Sequence, residues 1–320
     1  MSAQEDTLPA IETRQLVKEY AGGIRAVDGI DLRVRQNSIV ALLGPNGAGK
    51  TTTLSVLTTL LPPTAGTALV AGFDVVQQPQ EVRRRIGVTF QEIVLDPDLT
   101  GRETLDFHGR LYQMSAADRA AKIDELLRLV ELEEAADRRT KTYSGGMKRR
   151  LELARGLMTS PDVLFLDEPT QGLDPQNRAN IWEYIRNLQE QTSTTLLLTT
   201  HYMEEAAVLA DEVAIIDHGK VITHGTPQEL VDQMGADGIH IHGHGAAAPF
   251  LDRLQEAPFV ENILQDGDFI QLGVDAGNKR LVELVTMANE AGFAIDDISV
   301  SRPSLGDVFL KYTGRQLRDK

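Results

Sequence analysis

The 320-residue chain contains no cysteine, so disulfides and thiolate metal sites are excluded, and the absence fits a reducing compartment. Long apolar runs are also missing: pieces such as "TTLLLTT" fall well short of the ~18 residues that a membrane-spanning helix needs. The first ten residues, "MSAQEDTLPA", are acidic and have no apolar centre, so no secretory signal is expected. Positive charge is scarce as well. Against 47 Asp and Glu stand 32 Lys and Arg, a formal charge of −15, which argues against nonspecific binding to nucleic acid or to an anionic lipid surface. What remains is an ordinary globular composition, 42% hydrophobic, long enough for about two domains. Such a chain is expected to be soluble on its own, and any work at a membrane requires another chain to supply the span.

Through most of the first 230 residues, short apolar strands alternate with amphipathic helices, the pattern of an α/β layered sheet. "SIVALLG" (38–44), "DVLFLD" (162–167) and "TTLLLTT" (194–200) are continuous apolar runs, as parallel strands covered on both faces are. Residues 96–158 instead repeat at helical spacing, which predicts an all-helical insertion, and "DHGKVITHG" (217–225) reads as a hairpin closing the first domain. After Leu230 a Gly- and Ala-rich stretch with alternating histidines, "GADGIHIHGHGAAAPF", reads as a linker or edge strand. A small α+β domain follows, with strand "DFIQLGV", helix "KRLVELVTMANEAG", strand "AIDDISVS" and a final segment "PSLGDVFLKYTG".

Three stretches carry chemistry. "GPNGAGKTT", Gly44, Pro45, Asn46, Gly47, Ala48, Gly49, Lys50, Thr51 and Thr52, fits G-x-x-x-x-G-K-[ST] between a strand and a helix. Glycines there let backbone amides turn toward phosphate oxygens at a helix N-terminus. Lys50 is placed to neutralise the β- and γ-phosphates and Thr51 to ligate Mg2+. "VLFLDEP" ends an apolar strand with two carboxylates: Asp167 suits Mg2+, and Glu168 suits a general base that polarises the attacking water. "YSGGM" opens a helix, Gly145 to Met158, whose apolar face is Met147, Leu151, Ala154 and Met158. Ser144 caps it and the glycines leave its amides bare, a second anion-binding helix end in a chain that already has one.

In order, the P-loop, "TFQE" with Gln91, "YSGGM", "LFLDEP", "GLDP" and "LTTHYMEEA" with His201 resemble the motif series of an ABC-transporter ATP-binding cassette, over roughly residues 11–230. The resemblance implies a P-loop cassette made of a RecA-like core, an antiparallel β subdomain and a helical subdomain (about 96–158). An N-terminal tail (1–10) precedes it and a small α+β domain (231–320) follows. It implies an ATPase that uses ATP and Mg2+, and two copies that sandwich two ATP molecules, so that Ser144, Gly145 and Gly146 touch the γ-phosphate bound to the other copy. By the same resemblance Gln91 senses Mg2+ and the attacking water and couples to the membrane subunit. Asp174 crosses the dimer interface, His201 holds the γ-phosphate and orients Glu168, and Tyr20 stacks on adenine. The signature departs from the commonest form, "LSGGQ", at Tyr143 and Met147.

"YSGGM", "TTHYMEEA" and the tail "RPSLGDVFLKYTG" look most like the daunorubicin-resistance type of exporter ATPase, in which the tail stabilises subunit association. That places the chain on the cytoplasmic face of a membrane, held by a separate permease, with the cargo open among drugs, other amphiphiles and lipids. Non-transport cassette ATPases of the chromosome-maintenance and translation types are the alternatives; the first needs long heptad arms between P-loop and signature, and the second normally carries two cassettes and a basic surface. His240, His242 and His244 would share one face of a strand and are expected to be solvated, with no metal beyond Mg2+. "MKRR" after the signature reads as a solvated helix face.

Overall fold

The computed structural model describes residues 8–233, 237–266, 269–275, 277–301 and 303–313. Most of the expected N-terminal tail and the last residue of "PSLGDVFLKYTG" therefore lie outside the described residues. The chain divides into two compact units, Met1–Pro227 and Gln228–Lys320.

The first unit is built on a six-stranded sheet of β3 (Ile39–Leu43), β6 (Ile86–Thr89), β7 (Val163–Asp167), β8 (Thr195–Thr200), β9 (Glu212–Asp217) and β10 (Lys220–Gly225), in the order β10-β9-β3-β8-β7-β6. All pairs are parallel except β9 with β10. Every residue of β3, β7 and β8 is buried, which is why these strands read as unbroken apolar or threonine runs rather than alternating ones. His218 and Gly219 both take positive φ (47° and 77°), which is the turn that lets β9 fold straight back into β10. A second, antiparallel sheet joins β1 (Ile11–Tyr20), β2 (Ile24–Val34), β4 (Ala65–Val70) and β5 (Phe73–Asp74) in the order β2-β1-β4-β5. One apolar core, including Ile11, Ile30, Leu42, Leu54, Val70 and Phe165, serves both sheets.

Helices α1 (Lys50–Leu57) and α2 (Pro79–Arg85) lie between strands of the two sheets in sequence. Residues 96–158 carry α3 (Gly101–Leu111), α4 (Ala116–Leu129), two single 3-10 turns and α5 (Gly145–Gly156). Thr100 and Glu103 form a reciprocal capping box at the start of α3, and Ser115 caps α4, so polar residues at the helix starts fix the boundaries that hydrophobic spacing leaves loose. Helix α5 packs on α3, α4, β6 and α6 (Pro175–Thr192); α7 (Met203–Leu209) follows β8.

The second unit contains α8 (Pro227–Asp232) in part, then β11 (Asp237–Gly245), α9 (Ala247–Glu256), β12 (Val260–Asp266), β13 (Phe269–Val274), α10 (Gly277–Ala291), β14 (Phe293–Ser301) and α11 (Leu305–Thr313). This is a βαββαβ unit with an antiparallel sheet in the order β12-β13-β11-β14. The histidine stretch is thus neither linker nor edge: β11 is a central strand, paired with β13 on one side and β14 on the other. Its Ile239 and Ile241 point into the core with Phe250, Leu254, Leu272 and Leu284, and the histidines take the opposite, open face.

Candidate functional site

Parallel strands bring their carboxyl ends to one edge, and in this sheet the neighbours β3, β8, β7 and β6 are followed in turn by the P-loop, His201, Glu168 and Gln91. Residues more than a hundred positions apart are gathered by this topology alone, in the crevice where α/β sheets bind ligands.

The P-loop is held tight by its glycines. A Cβ on Gly44 would lie 2.2 Å from the Ile216 carbonyl oxygen, and one on Gly49, whose φ is 104°, would lie 2.2 Å from that of Ala26. Between them Asn46 and Gly47 are exposed and among the described residues their amides have no main-chain partner, so donors face solvent at the N-terminus of α1. Lys50 is only 4% exposed. Its Nζ donates to the carbonyls of Gly44 (2.7 Å) and Pro45 (3.1 Å) and lies 3.5 Å from Oε1 of Glu168. Burial pulls the Lys50 pKa below its usual value, and the carboxylates of Glu168 and Asp167 oppose the shift.

At the end of β7, Oδ1 of Asp167 accepts from Thr51 (3.2 Å) and Thr199 (2.5 Å). Glu168, 5% exposed, adopts a left-handed backbone with φ 47°, rare for a residue with a Cβ. Its N–H is pinned by the carbonyl and hydroxyl of Thr199 at 3.1 and 3.0 Å. The carboxylate is thereby turned so that Oε2 lies 2.9 Å from Nδ1 of His201. Burial pushes the Glu168 pKa up, but His201 and Lys50 outweigh it and hold the carboxyl net below its ordinary value, so it is ionised at neutral pH. Beyond this close approach to each other, neither Oε2 nor Nδ1 meets a hydrogen-bond partner among the described residues.

The remaining expected residues are placed less uniformly. Tyr20, at the end of β1, brings its hydroxyl 3.3 Å from Thr52 and leaves its ring half exposed beside the P-loop helix. Gln91 sits just past β6, where its side-chain amide donates to Gln171 three residues beyond Glu168. Ser144 caps α5 by accepting from the Met147 amide at 3.2 Å, and Asp174 caps α6 by accepting from Asn177 at 3.0 Å. Both are exposed, and among the described residues no hydrogen bond links Ser144, Gly145 or Gly146 to the P-loop of the same chain. The tyrosine that replaces leucine in the signature is an anchor: its buried hydroxyl donates to the Ala135 carbonyl at 2.7 Å.

"MKRR" is not a solvated face. Arg149 is 1% exposed and donates to carbonyls of Phe90, Gln91 and Glu168. Arg150 is partly buried, bonds Tyr184 Oη at 2.7 Å and stacks over that ring at 4.8 Å. Of the expected apolar face, Leu151, Ala154 and Met158 are buried and Met147 is only half so. Residue type hid Arg149; the signal was its place, four residues before Leu153 and five before Ala154 on the face that packs inward.

These donors suit a nucleoside triphosphate. Bare amides and an ammonium are donors for phosphate oxygens, the exposed ring of Tyr20 beside the P-loop helix is a surface on which a base can stack, and a threonine hydroxyl with a carboxylate offers the hard oxygen ligands that Mg2+ takes. Comparison with known proteins agrees. A family model described as "ABC transporter" matches residues 27–171. The daunorubicin/doxorubicin resistance ATP-binding protein DrrA of Streptomyces peucetius is 44% identical over 97% of this chain and 94% of its own. The Nod factor export ATP-binding protein I of Cupriavidus metallidurans is 39% identical over 98% and 100%. Among solved structures, a dimeric post-hydrolysis state of the ATP-binding cassette MJ0796 bound to ADP and Pi superposes with a TM-score of 0.60 at 26% identity, covering 68% of this chain and 98% of that one. The chain belongs to the ABC transporter family, as an ATP-binding and ATP-hydrolysing subunit of the drug-resistance and export group.

Proposed function

We propose that the chain works as a homodimer with two shared ATP sites, on the cytoplasmic face of a membrane, and drives efflux of an amphiphilic, drug-like compound through a separate permease. The observation that carries the reading is the meeting of Lys50, Glu168 and His201 at one sheet edge while Ser144 stands exposed and unlinked to its own P-loop.

In this reading the bare amides of the P-loop and Lys50 hold the β- and γ-phosphates, and Tyr20 stacks on the base. Thr51, Asp167 and Gln91 would hold Mg2+, which would supply charge neutralisation on the phosphate oxygens. Glu168, already ionised, takes a proton from the attacking water, and His201 fixes the direction of that carboxylate and contacts the γ-phosphate. Ser144 and the amides of Gly145 and Gly146 complete the site of the other copy, while Asp174 faces its partner across the interface. Closure thus depends on the γ-phosphate, and its loss on hydrolysis reopens the pair.

A groove of about 440 Å³ between the end of α1, β6, α3 and α5 supports a permease contact. Leu60, Phe90 and Tyr112 expose apolar surface there, so a segment docked in the groove would bear on Phe90, the residue that immediately precedes Gln91. The resistance relative supports a drug-like cargo, and the Nod factor export relative supports another exported compound as the second reading. Affinity purification of the chain from native membranes tests the assignment: a co-purifying multispanning protein, released by Leu60→Asp or Tyr112→Asp, is expected, and recovery of the chain without any membrane protein would contradict it.

A further inference from the structure

The buried guanidinium of Arg149 has no carboxylate within ion-pair distance among the described residues, although its charge is deeply desolvated. Glu152, Glu205 and Asp167 offset that cost only through their fields. Its donors go to main-chain carbonyls: Nη1 to Phe90 at 2.9 Å, and Nη2 to Glu168 at 2.8 Å and, more weakly, to Gln91 at 3.4 Å. Those three carbonyls belong to the two segments that carry Gln91 and Glu168, while Arg149 itself stands on α5, five residues beyond the signature serine. A cation whose partners are all backbone does not select them for charge; it fixes where those backbones run.

The consequence is sharpest at Glu168. A left-handed conformation persists in a residue with a Cβ only when its surroundings over-determine it. Thr199 pins the N–H of Glu168, and Arg149 pins its C=O, so the residue is held from both sides and its carboxylate is delivered to His201 and Lys50. Without the guanidinium the buried Glu168 carbonyl keeps only the turn bond from the Gln171 amide at 3.1 Å, and nothing on α5 then ties that peptide in place.

We propose that Arg149 is a positioning residue for hydrolysis: it makes the backbone of Glu168, the segment of Gln91 and the signature helix α5 move as one body. This rests on Glu168 being the general base. A movement of Gln91 on nucleotide binding would then reach Glu168 and Ser144 through one side chain rather than through the sheet.

The test uses the full-length chain with Mg2+-ATP and two variants, Arg149→Lys, which keeps the charge but not the fork, and Arg149→Gln, each assayed well below its own melting temperature. Because a misplacement near 1 Å costs about 100-fold, kcat is expected to fall by about 10- to 100-fold while KM for ATP stays within about twofold, with Lys less affected than Gln. The same substitutions are then placed in Glu168→Gln and followed by single-turnover hydrolysis. A residue that acts by aiming Glu168 has little left to aim, so the Arg149 effect should shrink to about twofold or less. Equal losses in both backgrounds, an unchanged kcat, or a loss confined to KM would overturn the proposal. Wild-type hydrolysis by Glu168→Gln alone would instead remove the general base on which it rests.

Discussion

Replacing Glu168 by Gln removes one negative oxygen and changes almost nothing else in volume, so its effect isolates the charge. Three features set the magnitude. The carboxylate is ionised at neutral pH, because His201 and Lys50 outweigh its burial. No neighbouring acid can substitute: Oδ1 of Asp167 is engaged by Thr51 and Thr199, and Glu205, wholly buried, is tied to Thr170 and Trp182. Lys50 keeps its contacts to the P-loop carbonyls, so the phosphate cradle survives. Loss of a general base costs about 10²- to 10⁴-fold, or roughly 3 to 5 kcal/mol of barrier at 1.36 kcal/mol per tenfold. ATP affinity should be unchanged or tighter, and ATP should accumulate in a closed dimer. Steady-state phosphate release and size-exclusion chromatography with ATP and Mg2+ read both effects. A variant that hydrolyses within tenfold of wild type would refute the assignment. The same charge has a pH signature. A carboxyl with a folded pKa below its unfolded value adds stability that is present above about pH 4.5 and is lost as pH falls through the folded pKa, so the stability gap between wild type and Glu168→Gln should narrow in acid.

Tyr143→Phe removes one of two donors to the Ala135 carbonyl, the Arg138 amide remaining, and should lower stability by about 0.5 to 1.5 kcal/mol in denaturant unfolding with ATP affinity little changed; an unaltered midpoint would show that the tyrosine is no anchor. His108 lines the groove and is held to a pKa of about 4, first by burial and then by Arg155, so the unfolded chain takes up its proton first as pH falls from about 6.5. Stability should therefore decline across that window, and His108→Asn should lose less between pH 7 and pH 5 than wild type does; parallel losses would contradict it. His240, His242 and His244 lie on an open sheet face with His244 already beside Asp296 at 2.9 Å, and changing all three to Gln should leave ATPase activity intact. Stoichiometric Zn2+ binding abolished by that change would argue for a site there.

What could be read from the chain follows from how each element is buried. Strands β3, β7 and β8 are covered on both faces and appear as unbroken apolar or threonine runs, and the P-loop announces itself because only glycine fits at Gly44 and Gly49. Strand β11 was harder, since Gly and His alternate with Ile239 and Ile241 and the apolar half of that alternation is only two residues long; its two-sided pairing is set by β13 and β14, which lie far along the chain. The left-handed backbone at Glu168 is fixed mostly from afar, by Thr199 on β8 and by Arg149 on α5, with only the turn bond from the Gln171 amide coming from its own segment. The burial of Arg149 likewise has no local signal: a basic residue beside Lys148 and Arg150 has the pattern of a solvated face, and the three carbonyls that accept from it lie far along the chain.

The central claim is that Ser144 completes the active site of a second copy. Its most direct test mixes two inactive subunits, Lys50→Ala and Ser144→Arg, carrying different tags so that heterodimers can be isolated, and measures ATP- and Mg2+-dependent cross-linking across the dimer interface. If Ser144 acts in trans, the heterodimer contains one whole site, built from Lys50 of the Ser144→Arg subunit and Ser144 of the Lys50→Ala subunit, beside one site with both lesions. If it acts within its own chain, every site is damaged. The bond from a helix N-terminus to phosphate is worth about 1.5 to 3 kcal/mol, roughly a 10- to 150-fold change in the closing equilibrium before the bulk of arginine is counted. Isolated heterodimers are expected to close with ATP while neither homodimer does; heterodimers that stay open under conditions where wild type closes would contradict a trans role for Ser144.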